Sequence, residues 1–299
     1  MRRIETSDFE NANIEFIEFW LMDPFVYDTT GILSGGDLFF NLGDVSEDIL
    51  RDGRKSFENG LPTTAAVTNV DTTVWGRVSV QQSLVNAFDN SPASRRYQDI
   101  GFDGLNDEDE RSFFADYLEE IKSIVSSEVY EKFAADPSKD NYHYYRGTNY
   151  DQQELSILER YKRYNGPDGN SPTTEMSPES YPTSATTIPD IEDINNDNTL
   201  NEYERYYQYR VSLRKEDMEL GKNYINDVKL SRVQLKNGQV GEVKWFQFKI
   251  PVREYDDVFG SIRDFKSIRF MRMFLTDFEE PVVLRFATLD LVRADWRRY

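Results

Sequence analysis

Segments with the apolar–polar alternation of β-strands stand at both ends of this chain. Near the N-terminus, Ile14–Met22 alternates with one break, which predicts a strand with a bulge, and Asp37–Leu42 follows a Gly-Gly pair. Near the C-terminus, Val243–Val252 alternates, and Ser267–Thr276 and Pro281–Val292 are two further strand-like runs. Strands from the two ends of a chain commonly pair, so we expect the first and last segments to lie side by side and close a sandwich.

The middle of the chain has a different pattern. Apolar residues in Glu108–Ala134 recur at a spacing of three to four, which predicts an amphipathic helix, and Asp151–Tyr164 repeats that pattern. Residues 166–189 are rich in Pro, Ser and Thr and predict a loop. The sequence therefore predicts a β-rich α+β fold. We expect a jelly-roll-like β-sandwich built from residues 1–88 and 205–299, with a helical, loop-rich insertion at 89–204 that carries calcium-type loops.

Composition excludes several classes of function. The 299 residues include 54 Asp and Glu against 35 Lys and Arg, a formal charge of −19, which repels phosphates. We therefore do not expect a nucleic acid or an anionic lipid surface as the main partner, while cations and basic partner surfaces are favoured. The absence of cysteine excludes disulfides, thiolate zinc sites and a Cys nucleophile, and a single His excludes a multi-His metal centre. No apolar run approaches the ~20 residues of a membrane-spanning helix.

The clearest local motif is an acidic loop with the spacing of a twelve-residue calcium site. Calcium needs six to eight oxygen ligands, and this spacing makes them converge. Positions 1, 3, 5, 7 (through its carbonyl), 9 and 12 would be filled by Asp193, Asn195, Asp197, Thr199, Asn201 and Glu204. Asn198 stands where Gly usually makes the sharp turn, although Asn tolerates left-handed backbone. The alternative interpretation is an Asx-rich turn that holds no metal.

A second acidic loop has a weaker version of the same pattern. Its candidate ligands at positions 1, 5, 7 (carbonyl), 9 and 12 are Asp99, Asp103, Leu105, Asp107 and Glu110. Gly occupies position 6, as the motif requires, but Gly101 offers no side-chain oxygen at position 3. The alternative is an acidic turn that caps the following helix. Calcium is thus the expected cofactor at both loops.

Signals for catalysis are poor. The single histidine, His143, lies in an aromatic cluster with no GxSxG serine, which is typical of a packing or hydrogen-bonding residue. There is no P-loop and no GxGxxG motif. Pairs of acid/base carboxylates stay open, because sequence does not give their separations. We therefore do not expect an enzyme.

Several long strings together resemble one family. They are Ile17–Phe25, Asp37–Asp52, Val74–Val78, Gln82–Asp89, Gln98–Leu105, Pro189–Leu200, Phe265–Leu275, Phe278–Pro281 and Asp295–Tyr299. They look like the gliding-motility and cell-surface family SprA, called Sov in some members, the large outer-membrane translocon of the type IX secretion system. The resemblance covers essentially the whole chain and implies one segment of a far longer protein.

This resemblance implies protein export rather than catalysis. The implied partners are the remainder of the translocon chain, a PorV-type outer-membrane barrel, a plug protein and secreted proteins with a C-terminal secretion signal. The implied location is the outer membrane, and we favour its cell-surface side over the periplasmic side, because millimolar extracellular calcium could fill weak loops. The alternative function is a calcium-stabilised, carbohydrate-binding cell-surface module.

Overall fold

The chain folds into two compact units. The computed structural model describes residues 1–26, 28, 31–48, 70–80, 91–95, 97, 103–141, 143–163, 173–183, 193–197, 199–234, 238 and 240–294. Unit 1 comprises Met1–Val45 with Tyr203–Tyr299, and unit 2 comprises Ser46–Glu202. The first change of unit thus falls after Val45, earlier than the expected boundary after residue 88, and the second falls two residues before the expected one.

Strands and helices follow one another in an order that separates the units. The described elements are β1 (Arg2–Arg3), β2 (Ile14–Met22), β3 (Gly36–Asp44), β4 (Val70–Thr72), β5 (Arg77–Ser79), α1 (Pro92–Arg95), α2 (Asp107–Phe113), α3 (Ala115–Ile124), α4 (Ser127–Ala135), α5 (Thr148–Gln152), α6 (Ile157–Arg163), β6 (Arg205–Leu213), β7 (Ile225–Gln234), β8 (Val240–Pro251), β9 (Asp257–Phe259), β10 (Phe270–Thr276) and β11 (Phe286–Arg293). Unit 1 is therefore built from strands, and unit 2 holds the described α-helices and the β4–β5 hairpin.

Unit 1 contains two antiparallel sheets, each with an N-terminal strand in its interior. The first has the order β1-β10-β3-β6-β9, and the second has the order β11-β2-β8-β7. In the second sheet, β2 pairs with β11 on one side and with β8 on the other. The expectation that the first and last segments lie side by side is confirmed by the β2–β11 pairing.

One hydrophobic core lies between these two sheets. Phe19 of β2 stacks on Phe248 at 4.7 Å between ring centroids, and across the core it contacts Phe40 of β3 at 5.4 Å. All three side chains are fully buried. The described structure is strand-rich with antiparallel sheets, so the β-rich α+β class is confirmed; the jelly-roll connectivity stays a prediction.

Buried carboxylates tie strands of the first sheet to arginines of their neighbours. Asp44, at the end of β3, accepts hydrogen bonds from the Nε atoms of Arg205 and Arg269. Asp37, at the start of β3, pairs with Arg210 and Arg214. Burial alone would raise the pKa of Asp37, but the hydrogen bonds and charges of these arginines outweigh it and lower the pKa.

The helices of unit 2 are shorter than the sequence pattern predicts. The helix expected over Glu108–Ala134 is divided into α2, α3 and α4, with breaks at Phe114 and at Val125–Ser126. Ser126 precedes α4 in an extended conformation, as an N-cap residue does, which favours a new helix start over continuation. Among the described residues, none of the helices has the length and apolar character needed to cross a membrane.

We expect unit 1 to fold without unit 2. Asp44 lies directly opposite Arg205 in the β3–β6 ladder, so a short loop can join these strands as a hairpin. Replacing Ser46–Glu202 with two glycines should leave a protein that unfolds in one cooperative transition. Urea unfolding followed by circular dichroism and by tryptophan fluorescence measures this, since Trp20 and Trp245 lie in unit 1.

Two substitutions in the shortened chain compare a buried position with a half-exposed one. Phe19→Ala empties a fully buried position and should lower the free energy of unfolding by about 3–5 kcal/mol. Phe259→Ala removes a half-exposed ring that stacks on Tyr206 and should cost about 0.5–1.5 kcal/mol. A shortened chain without a cooperative transition would show that unit 1 depends on unit 2.

Candidate metal centre

Five carboxylates converge inside unit 2. The side chains fall into two groups that share Glu110: Asp103, Glu110 and Asp140 form one, and Asp107, Glu110 and Asp136 form the other. Within each group, one carboxylate oxygen from every residue lies within 4.8 Å of the others. Glu110 is 1% exposed, Asp103 4% and Asp140 7%, so the first group is buried from solvent.

Two glycines give the backbone around Asp103 its shape. Gly104 has a φ of +69°, and Gly76 has a φ of +145° with the space for a Cβ filled by the Asp103 carbonyl. The N–H of Arg77 donates to that carbonyl at 2.7 Å, which joins the β4–β5 hairpin to the loop. A side chain at either glycine would be strained and would collide with backbone atoms, so this approach depends on glycine.

The N-terminus of α2 sets the next two carboxylates. Asn106 is its N-cap, and its side chain accepts hydrogen bonds from the N–H groups of Glu108 at 3.1 Å and Asp109 at 3.0 Å. Asp107 and Glu110 are three residues apart, so they lie on the same face of the helix. The acidic first turn also suits the positive end of the helix dipole.

The segment after α4 supplies the remaining two carboxylates. The N–H of Asp140 donates to the Asp136 carboxylate at 3.2 Å, which closes a turn around Ser138. The N–H of Ser138 donates to Glu110 at 3.3 Å, and its hydroxyl donates to Asp103. These bonds fasten the turn over the cluster.

Burial and mutual repulsion perturb the titration of this cluster. Burial, followed by the charges of Asp140 and Asp103, raises the pKa of Glu110 to about 9. Burial likewise raises the pKa of Asp103, and it raises the pKa of Asp136 despite the opposing charge of Lys139. Closely spaced buried carboxylates are stable only when protons or a cation neutralise them.

The chemistry of these ligands fits a hard divalent cation. Carboxylate oxygens are the preferred ligands of calcium, which binds six to eight oxygens in flexible geometry. Of the predicted ligands of the second acidic loop, Asp103 lies with Glu110 in one group, and Asp107 lies with Glu110 in the other. Gly104, at position 6, has the left-handed backbone that such a loop needs. Leu105 is buried with its N–H donated to Asp103 at 2.9 Å, and Asp99 lies outside the described residues.

The first acidic loop is arranged as a set of Asx turns. The N–H of Asp197 donates to the side-chain oxygens of Asp193 at 2.8 Å and Asn195 at 3.0 Å. The N–H and hydroxyl of Thr199 both donate to Asp197. These hydrogen bonds are the features of the alternative interpretation, an Asx-rich turn.

A glutamate distant in sequence holds this first loop. Glu47 is buried and accepts from the N–H groups of Ile194 at 2.8 Å and Asn201 at 3.1 Å. Burial, despite these hydrogen bonds, raises the pKa of Glu47. Glu204, the predicted ligand at position 12, belongs to unit 1 and pairs there with Arg272 at 3.1 Å. The predicted Asn198 turn lies outside the described residues.

Sequence reasoning missed Asp136, Asp140 and Glu47. The sequence does mark Asp136 and Asp140, because the string Asp136-Pro-Ser-Lys-Asp140-Asn places two acidic residues four positions apart directly after a predicted helix. Nothing local marks Glu47, because its partners lie about 150 residues away. His143 is a packing residue, as expected: its ring stacks on Tyr150 at 4.3 Å, and Nε2 lies 3.1 Å from the Asn149 amide.

We expect metal-free unit 2 to lose stability as the pH rises. The folded pKa of Glu110 is about 9 against 4.5 in its reference state, so the folded protein binds more protons between these values. The free energy of unfolding in EDTA should therefore fall from about pH 5 to about pH 9. Calorimetric melting temperatures measured at pH 5, 7 and 9 report this, and Glu110→Gln should flatten the profile.

The matched control is Glu108→Gln, an exposed glutamate on the same helix, which should leave the pH profile unchanged. A melting temperature of unit 2 that increases with pH across this window would contradict the assignment of Glu110.

One comparison with known proteins bears on the chain. The sequence model of the family SprA_N, described as "Motility related/secretion protein", matches residues 116–299. That span covers more than half of the chain and includes α4–α6 of unit 2 and β6–β11 of unit 1. No curated protein matches the sequence. The resemblance seen in the sequence is thereby confirmed, and the chain belongs to the SprA_N family of motility-related and secretion proteins.

Proposed function

We propose that this chain is a non-catalytic, calcium-stabilised segment of an outer-membrane protein-export translocon of type IX secretion. Its role is structural and partner-binding, and it lies outside the membrane plane on the cell-surface side. Membership of a motility and secretion family supports export as the process. The convergence of five carboxylates in unit 2 is the observation that carries the calcium assignment.

The burial of the cluster supports a structural role for the metal. Asp103 lies on the loop before α2, Glu110 lies on α2, and Asp140 lies on the turn after α4. One cation bound by these three ligands would therefore link three segments. Binding to the folded state alone stabilises that state by mass action. A buried cation site of this kind holds unit 2 together and leaves its surface for partners.

Exposed apolar side chains support partner binding by unit 1. In the β7–β8 hairpin, Leu230 in the middle of β7 is 62% exposed, and Val240 at the turn end of β8 is 70% exposed. Strand β7 is also one of the two edge strands of its sheet within the described residues. We propose this hairpin as a contact for the remainder of the translocon chain, the PorV-type barrel, the plug protein or the secreted proteins.

Calcium titration tests the metal proposal. At pH 7, Glu110 of the metal-free protein carries a proton, because its pKa is about 9, and an ion bound at the cluster displaces it. The 299-residue chain is first freed of metal with a chelator. Isothermal titration in two buffers of different ionisation enthalpy should then show that calcium binds and that protons are released. The melting temperature of unit 2 should rise with calcium.

The variants are chosen to separate the two acidic loops. Glu110→Gln removes the ligand that both groups share and should abolish the calcium heat, while Asp140→Asn removes a ligand of one group only and should weaken binding. Asp193→Asn changes only the first loop and should leave the heat unchanged. A wild-type chain without calcium heat, or one that loses it through Asp193→Asn alone, would contradict the assignment to the five-carboxylate cluster.

Photo-crosslinking in intact cells tests the partner proposal. Benzoylphenylalanine at position 230 or 240 of the full-length protein should yield crosslinks to the barrel, the plug protein or exported substrates. The matched position is 220, since Leu220 is equally exposed at 63% but lies outside the hairpin, and it should yield fewer. An absence of crosslinks at 230 and 240, or an equal yield at 220, would count against the hairpin.

A further inference from the structure

Unit 2 contains a cleft that the calcium cluster does not use. It has a volume of about 370 Å³ and is lined by Tyr144, Arg146, Asp151, Arg160, Tyr181 and Pro182. Sites for small molecules have volumes of about 300–1,000 Å³, so this cleft is large enough for a ring-shaped ligand rather than a single ion. The loop after α4, helices α5 and α6 and the segment 173–183 each contribute lining residues.

Hydrogen bonds fix one wall of the cleft to the other. The Tyr181 hydroxyl donates to the Arg146 carbonyl at 3.0 Å. The N–H and hydroxyl of Thr148 both donate to Glu179, which fastens the start of α5 to the same segment. The rings of Tyr144 and Tyr181 stand 6.2 Å apart at an angle of 57°, so two aromatic rings border a preformed space.

The two arginines of the cleft differ in how far neighbouring groups balance their charge. Arg160 donates to Asp151 at 2.6 Å and to the Leu155 carbonyl at 3.0 Å, so its charge is largely balanced. The side chain of Arg146 is exposed, and in the part of the chain that the structure describes its guanidinium has neither a hydrogen-bond nor an ion-pair partner. One unpaired arginine therefore favours a ligand with a single carboxylate, which it can bind with two parallel hydrogen bonds.

Asp151 restricts the ligand further. Its carboxylate repels multiply charged anions, and because Arg160 already balances it, an ammonium group gains little there. It remains an acceptor for neutral donors such as hydroxyl groups. The tyrosine rings provide apolar faces with polar edges, which suit the C–H face of a hydroxylated ring.

We propose that this cleft binds a carboxylate-bearing sugar residue of the hexuronate type. Arg146 pairs with the carboxylate, Asp151 accepts hydrogen bonds from ring hydroxyls, and Tyr144 and Tyr181 pack against the sugar ring. This site goes beyond the export and calcium proposals, because it rests on residues outside the carboxylate cluster.

Binding of methyl galacturonoside, which carries one carboxylate, to the 299-residue chain tests the inference, with methyl galactoside and acetate as the neutral and ring-free probes. Isothermal titration and saturation-transfer NMR should detect methyl galacturonoside and give weaker or no signals for the other two. Arg146→Ala should weaken methyl galacturonoside binding about tenfold or more, since it removes a charge-assisted hydrogen-bonded pair. Tyr144→Ala should weaken it through loss of ring packing, while Tyr181→Phe keeps the ring and should have a smaller effect.

The matched control is Arg111→Ala, an exposed arginine of unit 2 that does not line the cleft, and it should leave binding unchanged. Circular dichroism of each variant establishes that it is folded. Equal binding of methyl galactoside, equal binding of acetate, or no loss through Arg146→Ala in a folded variant would each overturn the proposal, as would a wild-type chain that binds none of the probes. None of these results depends on calcium binding or on export.

Discussion

The architecture of unit 1 depends on the burial of two N-terminal strands between strands from the C-terminal part of the chain. β2 lies between β11 and β8, and β3 lies between β10 and β6. Their inner residues, among them Phe19 and Phe40, form the centre of the only large apolar cluster in the described residues. Removing either N-terminal strand would divide a sheet and expose the core. The discontinuity of unit 1 in sequence is therefore a requirement of its packing rather than an accident of its boundaries.

Charge is distributed very unevenly between the two units. Residues 46–202 contain 30 Asp and Glu against 14 Lys and Arg, whereas the rest of the chain contains 24 against 21. In unit 1 the buried acids Asp37 and Asp44 each pair with two arginines, so their burial is compensated within the protein. In unit 2 the buried Asp103 and Asp140 lie instead beside Glu110, and burial together with their charges raises the pKa of Glu110. Arginine side chains thus balance the buried carboxylates Asp37 and Asp44 of unit 1, whereas the carboxylates around Glu110 in unit 2 need protons or a cation to balance their charge.

The sequence predicted what depends on local periodicity and missed what depends on tertiary contact. The alternation in Ile14–Met22 gave β2 with its observed bounds, and the pairing of chain ends followed from general topology. β6 was missed although its buried Tyr207, Tyr209, Val211 and Leu213 alternate with polar residues, and β7 was missed because most of its side chains are exposed and its apolar signal is weak. Three of the five carboxylates in the cluster were predicted from the spacing within residues 103–110. The spacing of Asp136 and Asp140 is visible in the sequence but does not show that they join the cluster, since the turn that places them is fixed by bonds from Ser138 to distant side chains.

The interruption of unit 1 also dictates an order of events during synthesis. The ribosome completes β2 and β3 first, and the 157 residues of unit 2 follow before β6 is made. At about 5–20 residues per second, that delay is roughly 10–30 s. During this time β2 and β3, which are rich in Phe, Ile and Leu, have no C-terminal strands to pair with. Unpaired apolar strands of this kind aggregate readily. Unit 1 therefore cannot complete its core until unit 2 has been made, and unit 2 has time to fold before unit 1 begins.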